Sequence, residues 1–197
     1  MRSPFPERSE NDRRTTRHGL SGRGRRAVPR HRARGRGGAQ ALAAARSAAI
    51  PVIFVRVAFR SGYPEASPRN RAFAMVKQRG EAFTEASPAT QIHPALGPRQ
   101  GEPVVLKKRY SAFSGSDLDV LLRSVGATRL VLSGIATSGV VLSTLREAAD
   151  RDYELVVLAD ACFDADEEVH RVLTEKVFPR QADVLTVAQW VSALPRS

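Results

Sequence analysis

The sequence predicts a three-layer α/β fold, a mostly parallel sheet with helices on both faces. Two observations carry this reading. Five short runs rich in valine, leucine and isoleucine recur along the chain, and helix-like segments alternate with them. Strands that alternate with helices pair in parallel and are covered on both sides, so their sequences run continuously apolar.

Taken in order, residues 39–49 are alanine-rich and favour a helix. Residues 51–57 (PVIFVRV) form the first strand-like run, and residues 58–69, with Gly62, Pro64 and Pro68, a loop. A short helix is expected over residues 70–79, then a long connection to Gly101. Residues 104–108 read as a strand. Ser116 is placed to cap a helix carrying Leu118, Leu121, Leu122 and Val125 at helical spacing. Residues 129–132 and 154–159 are further strands, with a helix over residues 140–149 between them. An amphipathic helix over residues 166–177, a strand over 183–186 and a helix over 187–194 complete the pattern.

Residues 1–38 are different in kind. They hold twelve arginines and three acids, a net charge of +9, whereas the other 159 residues carry only +2 of the total +11. Their longest uncharged aliphatic stretch is Ala27-Val28, too little apolar surface to offset chain entropy. The expected division is therefore a disordered arginine-rich tail over residues 1–38 and one folded domain over residues 39–197. A basic arm attracts phosphates, but nothing in the domain supports nucleic-acid recognition, so nucleic acid is not an expected partner. No apolar run reaches the roughly 20 residues of a membrane-spanning helix, and no hydrophobic stretch follows the charged N-terminus as in a secretory signal. The single cysteine, Cys162, excludes an internal disulfide and fits a reducing cytoplasm. Four histidines without ligand spacing give no metal motif, and no cofactor is expected.

In open α/β sheets reactive groups collect at the carboxyl ends of strands. Three segments fit: Lys107-Lys108-Arg109-Tyr110-Ser111-Ala112-Phe113, then residues 134–141 (GIATSGVV), then Asp160-Ala161. With EEVHRVL behind them, in this order over residues 39–190, they resemble the isochorismatase-like superfamily, which includes nicotinamidases, N-carbamoyl amide hydrolases and isochorismatases. The resemblance implies hydrolysis of a small-molecule substrate by a homo-oligomer, with an aspartate, a lysine and a cysteine as the catalytic set. It also implies an oxyanion hole of backbone N–H groups, often beside a non-proline cis peptide.

Carried over by position, the lysine is Lys107, and Lys108 should face away from it. The cysteine position falls on Val140, which cannot attack a carbonyl. Ser138 and Ser143 lie two residues before and three after it, so neither inherits the role. Tyr110, Phe113, Thr137, Ser138 and Gly139 are the implied substrate-binding residues. Cys162 is expected to pack as a small apolar residue, and His170 to be structural. The aspartate, which in the family ends a first and usually central strand, has no counterpart: residues 1–38 contain only Asp12, in a charged context. Arginine, glycine, proline and alanine dominate GC-rich coding sequence read out of frame, so the tail is expected to stand where that strand was, with a genuine basic arm as the alternative. The expected outcome is a sheet defective at its centre, with hydrolysis absent or impaired. A non-catalytic binding relative of the family is the alternative function.

Overall fold

The computed structural model describes residues 30–195, with side chains from Gly37 onward. Helix α1 spans Arg30–Ser47 and so starts ahead of residue 39. Arg-Gly sequence lacks apolar surface, but Gly37 lies where an added Cβ would meet the Asp160 carbonyl oxygen at 2.8 Å. The glycine is what lets α1 lie close against the sheet. Of the disordered tail expected over residues 1–38, residues 1–29 lie outside the described residues.

Five strands follow the expected order: β1 (Phe54–Val57), β2 (Val104–Lys107), β3 (Arg129–Ile135), β4 (Glu154–Phe163) and β5 (Asp183–Leu185). Every pairing is parallel. β1 pairs with β2, with Val57 opposite Lys107, while β4 pairs with β3 on one side and β5 on the other. Among the described residues no ladder joins these two sheets. The sheet is thus divided in two, between the β1–β2 pair and the β3–β4–β5 group.

Between the strands lie α2 (Arg71–Lys77), capped by the Asn70 side chain, and α3 (Leu118–Ser124). Asp117, not Ser116, is the residue preceding α3. Ser116 still supports the turn, accepting from the Leu118 N–H at 3.2 Å. After β3 come a wide π-type turn (Thr137–Val141) and α4 (Leu142–Ala149). After β4 comes α5 (Glu167–Val172), with Asp166 accepting from the N–H groups of Glu168 and Val169. Helix α6 (Val187–Ser192) starts on a reciprocal pair of cap bonds between Thr186 and Gln189.

Strand β4 shows how the layers are made. Leu155 and Val157 face a core shared with Val105, Leu122, Leu130 and Leu145. Val156 and Leu158 face the opposite layer, with Ala41 and Ala45 of α1 and Val187 and Trp190 of α6. The period of two sends alternate side chains to opposite helical layers. Val157 is fully buried, and truncating it to alanine costs about 2–3 kcal/mol by the usual cost of removing buried methyl groups.

Candidate active site

Lys107 ends β2 on the same side of the strand as Val105, and both are buried. Its Nζ donates to the Arg109 carbonyl oxygen at 2.7 Å. Burial pushes the ammonium down to about 8, because desolvation penalises the charged form. No carboxylate pairs with it among the described residues. Lys108 points the other way and pairs with Glu85 at 3.4 Å, as strand alternation requires.

The second segment is shaped by a bulge. The β3–β4 register slips between Leu132 and Gly134, and Gly134 adopts φ +143, a conformation open to glycine. The slip turns the chain into the Ile135–Ala136 peptide, which is cis as the family resemblance implies. Thr137 is completely buried, with Oγ1 2.9 Å from Nδ1 of His170. The Ser138 N–H donates to Oδ2 of Asp164 at 2.7 Å. Burial raises the affinity of Asp164 for a proton, but hydrogen bonds from Ser138, Asp166 and Ala165 outweigh this and hold the carboxyl below its ordinary value.

Two contacts join this turn to the lysine segment. The Ala112 N–H donates to Oγ1 of Thr144 in α4 at 2.9 Å. Cδ1 of Tyr110 lies 3.8 Å from the place of a Cβ on Gly139. The half-exposed Tyr110 ring packs against Phe73 at 5.3 Å between centroids, and the Arg109 guanidinium lies 5.3 Å over the same Phe73. Tyr110 and Gly139 thus meet beyond the carboxyl ends of β2 and β3, with Ser138 next to Gly139 in the chain and Lys107 the last residue of β2.

Other expected site residues turn inward. Phe113 lies in the core, stacked on Tyr153 at 6.2 Å and covered by the Arg151 guanidinium at 4.6 Å. Its ring is almost wholly buried. Val140 packs, half-buried, against the same core. Ser138 is exposed, and Ser143 is half-buried in α4. Cys162 is buried in the core, and burial pushes its thiol up to about 12.

The third segment is displaced. β4 continues to Phe163, so Asp160 lies within the strand and accepts from the Val187 N–H at 2.8 Å, holding the start of α6. Asp164 is the acid that reaches the turn, and sequence reading missed it. Its signal was an aspartate directly ahead of a capped helix. Among the described residues no three His, Cys, Asp or Glu side chains group to hold a metal ion, and no helix is long and apolar enough to cross a membrane. A cleft of about 820 Å³ opens at the opposite edge, beside Ile50–Ile53 and Leu121, away from these groups.

Comparison with known proteins identifies the family. Residues 21–189 match the isochorismatase domain. Ureidoacrylate amidohydrolase RutB of Methylobacterium radiotolerans is 38% identical over 168 residues, covering 79% of this chain and 65% of that protein. The chain therefore spans slightly under two thirds of the length of this relative. The uncharacterized isochorismatase family protein YecD of Escherichia coli O157:H7 is 35% identical over 153 residues, covering 76% of this chain and 77% of that one. Among solved structures, an isochorismatase family protein from Desulfovibrio vulgaris superposes with a TM-score of 0.74 at 27% identity, covering 83% of this chain and 85% of that one. Another from Burkholderia thailandensis gives 0.69 at 33% identity, with 80% and 81% covered. The fold, the order of the two motifs and these similarities place the chain in the isochorismatase family.

Proposed function

We propose that this chain is an isochorismatase-family hydrolase for a small molecule whose catalytic set is incomplete, so that it binds at the Lys107 edge but hydrolyses poorly or not at all. One observation carries the reading: the buried Lys107 amine has a backbone carbonyl for a partner and no carboxylate among the described residues. In a triad of aspartate, lysine and cysteine the acid takes the thiol proton and the lysine supports the ion pair. Here Val140 supplies no nucleophile, and Asp164 is committed to the Ser138 N–H. Lys107 alone polarises a carbonyl but delivers neither nucleophile nor proton.

The names of the similar amidohydrolases make ureidoacrylate the first substrate to try, followed by nicotinamide and isochorismate. Assembly as a homo-oligomer in the cytoplasm belongs to the same proposal, and the exposed Ile135, 69% accessible, gives apolar surface for it. The test pairs turnover with binding. Product release should stay at background for all three compounds, while ligand-detected NMR shows binding that Lys107→Ala removes. Turnover by the parent chain, abolished by Lys107→Ala, would overturn the proposal and point to the exposed Ser138 as a substitute nucleophile.

A further inference from the structure

We propose that Arg109 is the positioning residue of the Lys107 edge: it fixes the main-chain carbonyl that receives the Lys107 amine, and so sets where that amine points. The proposal rests on the reading of Lys107 as the amine that binds the ligand. Nζ of Lys107 donates to the Arg109 carbonyl oxygen at 2.7 Å, so the side chain turns back onto its own chain where the chain leaves β2. The direction of the amine is then only as fixed as that carbonyl.

Strand pairing does not fix it. The β1–β2 ladder ends with Val57 opposite Lys107, and one further bond, from the Ala58 N–H to the Lys107 carbonyl at 3.2 Å, closes it. Beyond that point the Arg109 guanidinium does the holding. Nη1 donates to the Lys108 carbonyl at 2.7 Å, and Nη2 donates to the carbonyl of Glu65, in the loop after β1, at 3.1 Å. The same guanidinium lies 5.3 Å over the ring of Phe73 in α2. That ring packs in turn against Phe59 at 5.9 Å and Tyr110 at 5.3 Å. One side chain thus joins a strand end, a loop and a helix. The Arg109 carbonyl lies in the chain between the Lys108 carbonyl and the Tyr110 ring, and this cluster holds both.

The arrangement calls for arginine in particular. A planar fork sends two N–H groups to two carbonyls and still offers a face to an aromatic ring, whereas an ammonium is a point donor on a flexible stem. Both partners of the guanidinium are main-chain carbonyls, so its bonds hold backbone. An ammonium has three donors, and the Arg109 carbonyl takes one of those on Lys107. A ligand oxygen therefore meets the amine from a direction set by that bond. The competing reading makes Arg109 an anchor for the loop over residues 58–69 and nothing more. The two readings differ in one observable. An anchor changes stability alone, whereas a positioning residue also changes the surroundings of the Lys107 amine, which burial holds at about 8.

The test uses the full chain made with isotope-labelled lysine, which has only four sites, Lys77, Lys107, Lys108 and Lys176. The Lys107 Cε signal, identified in each background by its loss on Lys107→Met, is titrated by NMR with no ligand present. Arg109→Lys keeps the charge and loses the fork, and Arg109→Met loses both. In each the Lys107 midpoint should rise by about one pH unit or more, because the freed amine gains water. An unchanged or lowered midpoint in both would overturn the proposal and leave Arg109 as a loop anchor. A rise in Arg109→Met that Arg109→Lys does not share would overturn it as an effect of charge alone. If neither variant folds, Phe73→Leu removes the platform with the guanidinium intact; a raised midpoint then supports the proposal and the parent value overturns it. Because no ligand is present, failure here leaves the ureidoacrylate binding test untouched, and absence of binding there leaves this titration readable.

Discussion

The hydroxyl of Thr137 and Nδ1 of His170 lie 2.9 Å apart, and this bond ties the turn after β3 to the first helix after β4. Thr137 has no solvent to turn to, since it is completely buried. Together with the bond from the Ser138 N–H to Asp164, it fixes the turn from the side of β4. Thr137→Val keeps the shape and removes the hydroxyl, leaving the imidazole nitrogen without its partner. Urea unfolding should show a loss of about 1–2 kcal/mol, the usual cost of an orphaned buried polar group. Thr137→Ser should recover most of it. Equal stability of the valine variant and the parent would mean the bond contributes nothing.

Two glycines should respond oppositely to alanine. At Gly37 the new Cβ would meet the Asp160 carbonyl oxygen at 2.8 Å, which forces α1 away from β4. The loss should be about 1–3 kcal/mol, the range for overpacking. At Gly139 the nearest atoms, on Ala136 and Tyr110, are at 3.8 Å, ordinary contact distance. Gly139→Ala should leave the thermal midpoint unchanged or slightly raised. Equal thermal midpoints for Gly37→Ala and the parent would show that α1 does not rest on that contact.

The same two glycines show where sequence reading reached and where it stopped. Strand and helix order was legible because period and apolar runs are local, and Val105, Leu130 and Val157 all lie where the pattern put them. Strand alternation predicts that Lys107 and Lys108 point to opposite sides, as they do, whereas the role of Lys107 comes only from the family resemblance. Gly37 was not legible, because its role is set by a carbonyl more than 120 residues away. Asp164 was missed for a related reason. β4 runs past Asp160 only because the bulge at Gly134 lets Cys162 and Phe163 pair with β3, and pairing across strands is invisible in local pattern. Phe113 fits an exposed motif and a core equally well until Tyr153 and Arg151 are seen to enclose it.

Lys107 should make stability depend on pH in a defined direction. Its folded value is about 8 and its ordinary value 10.5. Below pH 8 both folded and unfolded chains hold the proton, and the full cost of burying the charge is present. Between pH 8 and 10.5 the unfolded chain binds more protons, so stability rises with pH as that cost is relieved. Lys107→Met, similar in shape and uncharged, should exceed the parent at pH 7 by up to about 3 kcal/mol, an upper limit because remaining solvent access reduces it. The difference should shrink towards zero by pH 10.5. Chemical denaturation of both proteins at pH 7, 8.5 and 10 measures this. A pH-independent difference would mean that the amine is solvated.

The last prediction separates the two missing groups of the catalytic set. Val140 lies in the turn that leads into α4 and packs half-buried on the core, so Val140→Cys puts a thiol where the family resemblance places the nucleophile. The parent gives a clean background. Its one thiol, Cys162, is buried and pushed up to about 12, so native protein should resist iodoacetamide at pH 8. The variant should take up one equivalent, because a helix start favours the thiolate. Labelling should slow but not stop in Lys107→Ala/Val140→Cys. Hydrolysis is a stricter demand. It needs a base to accept the thiol proton and return it to the leaving nitrogen, and among the described residues Asp164 is held by Ser138 while Lys107 faces a carbonyl. Val140→Cys should therefore be alkylated yet release no product from ureidoacrylate above the parent. Product release that disappears on adding Lys107→Ala would show that a base is already in place, and that the thiol was the only part missing.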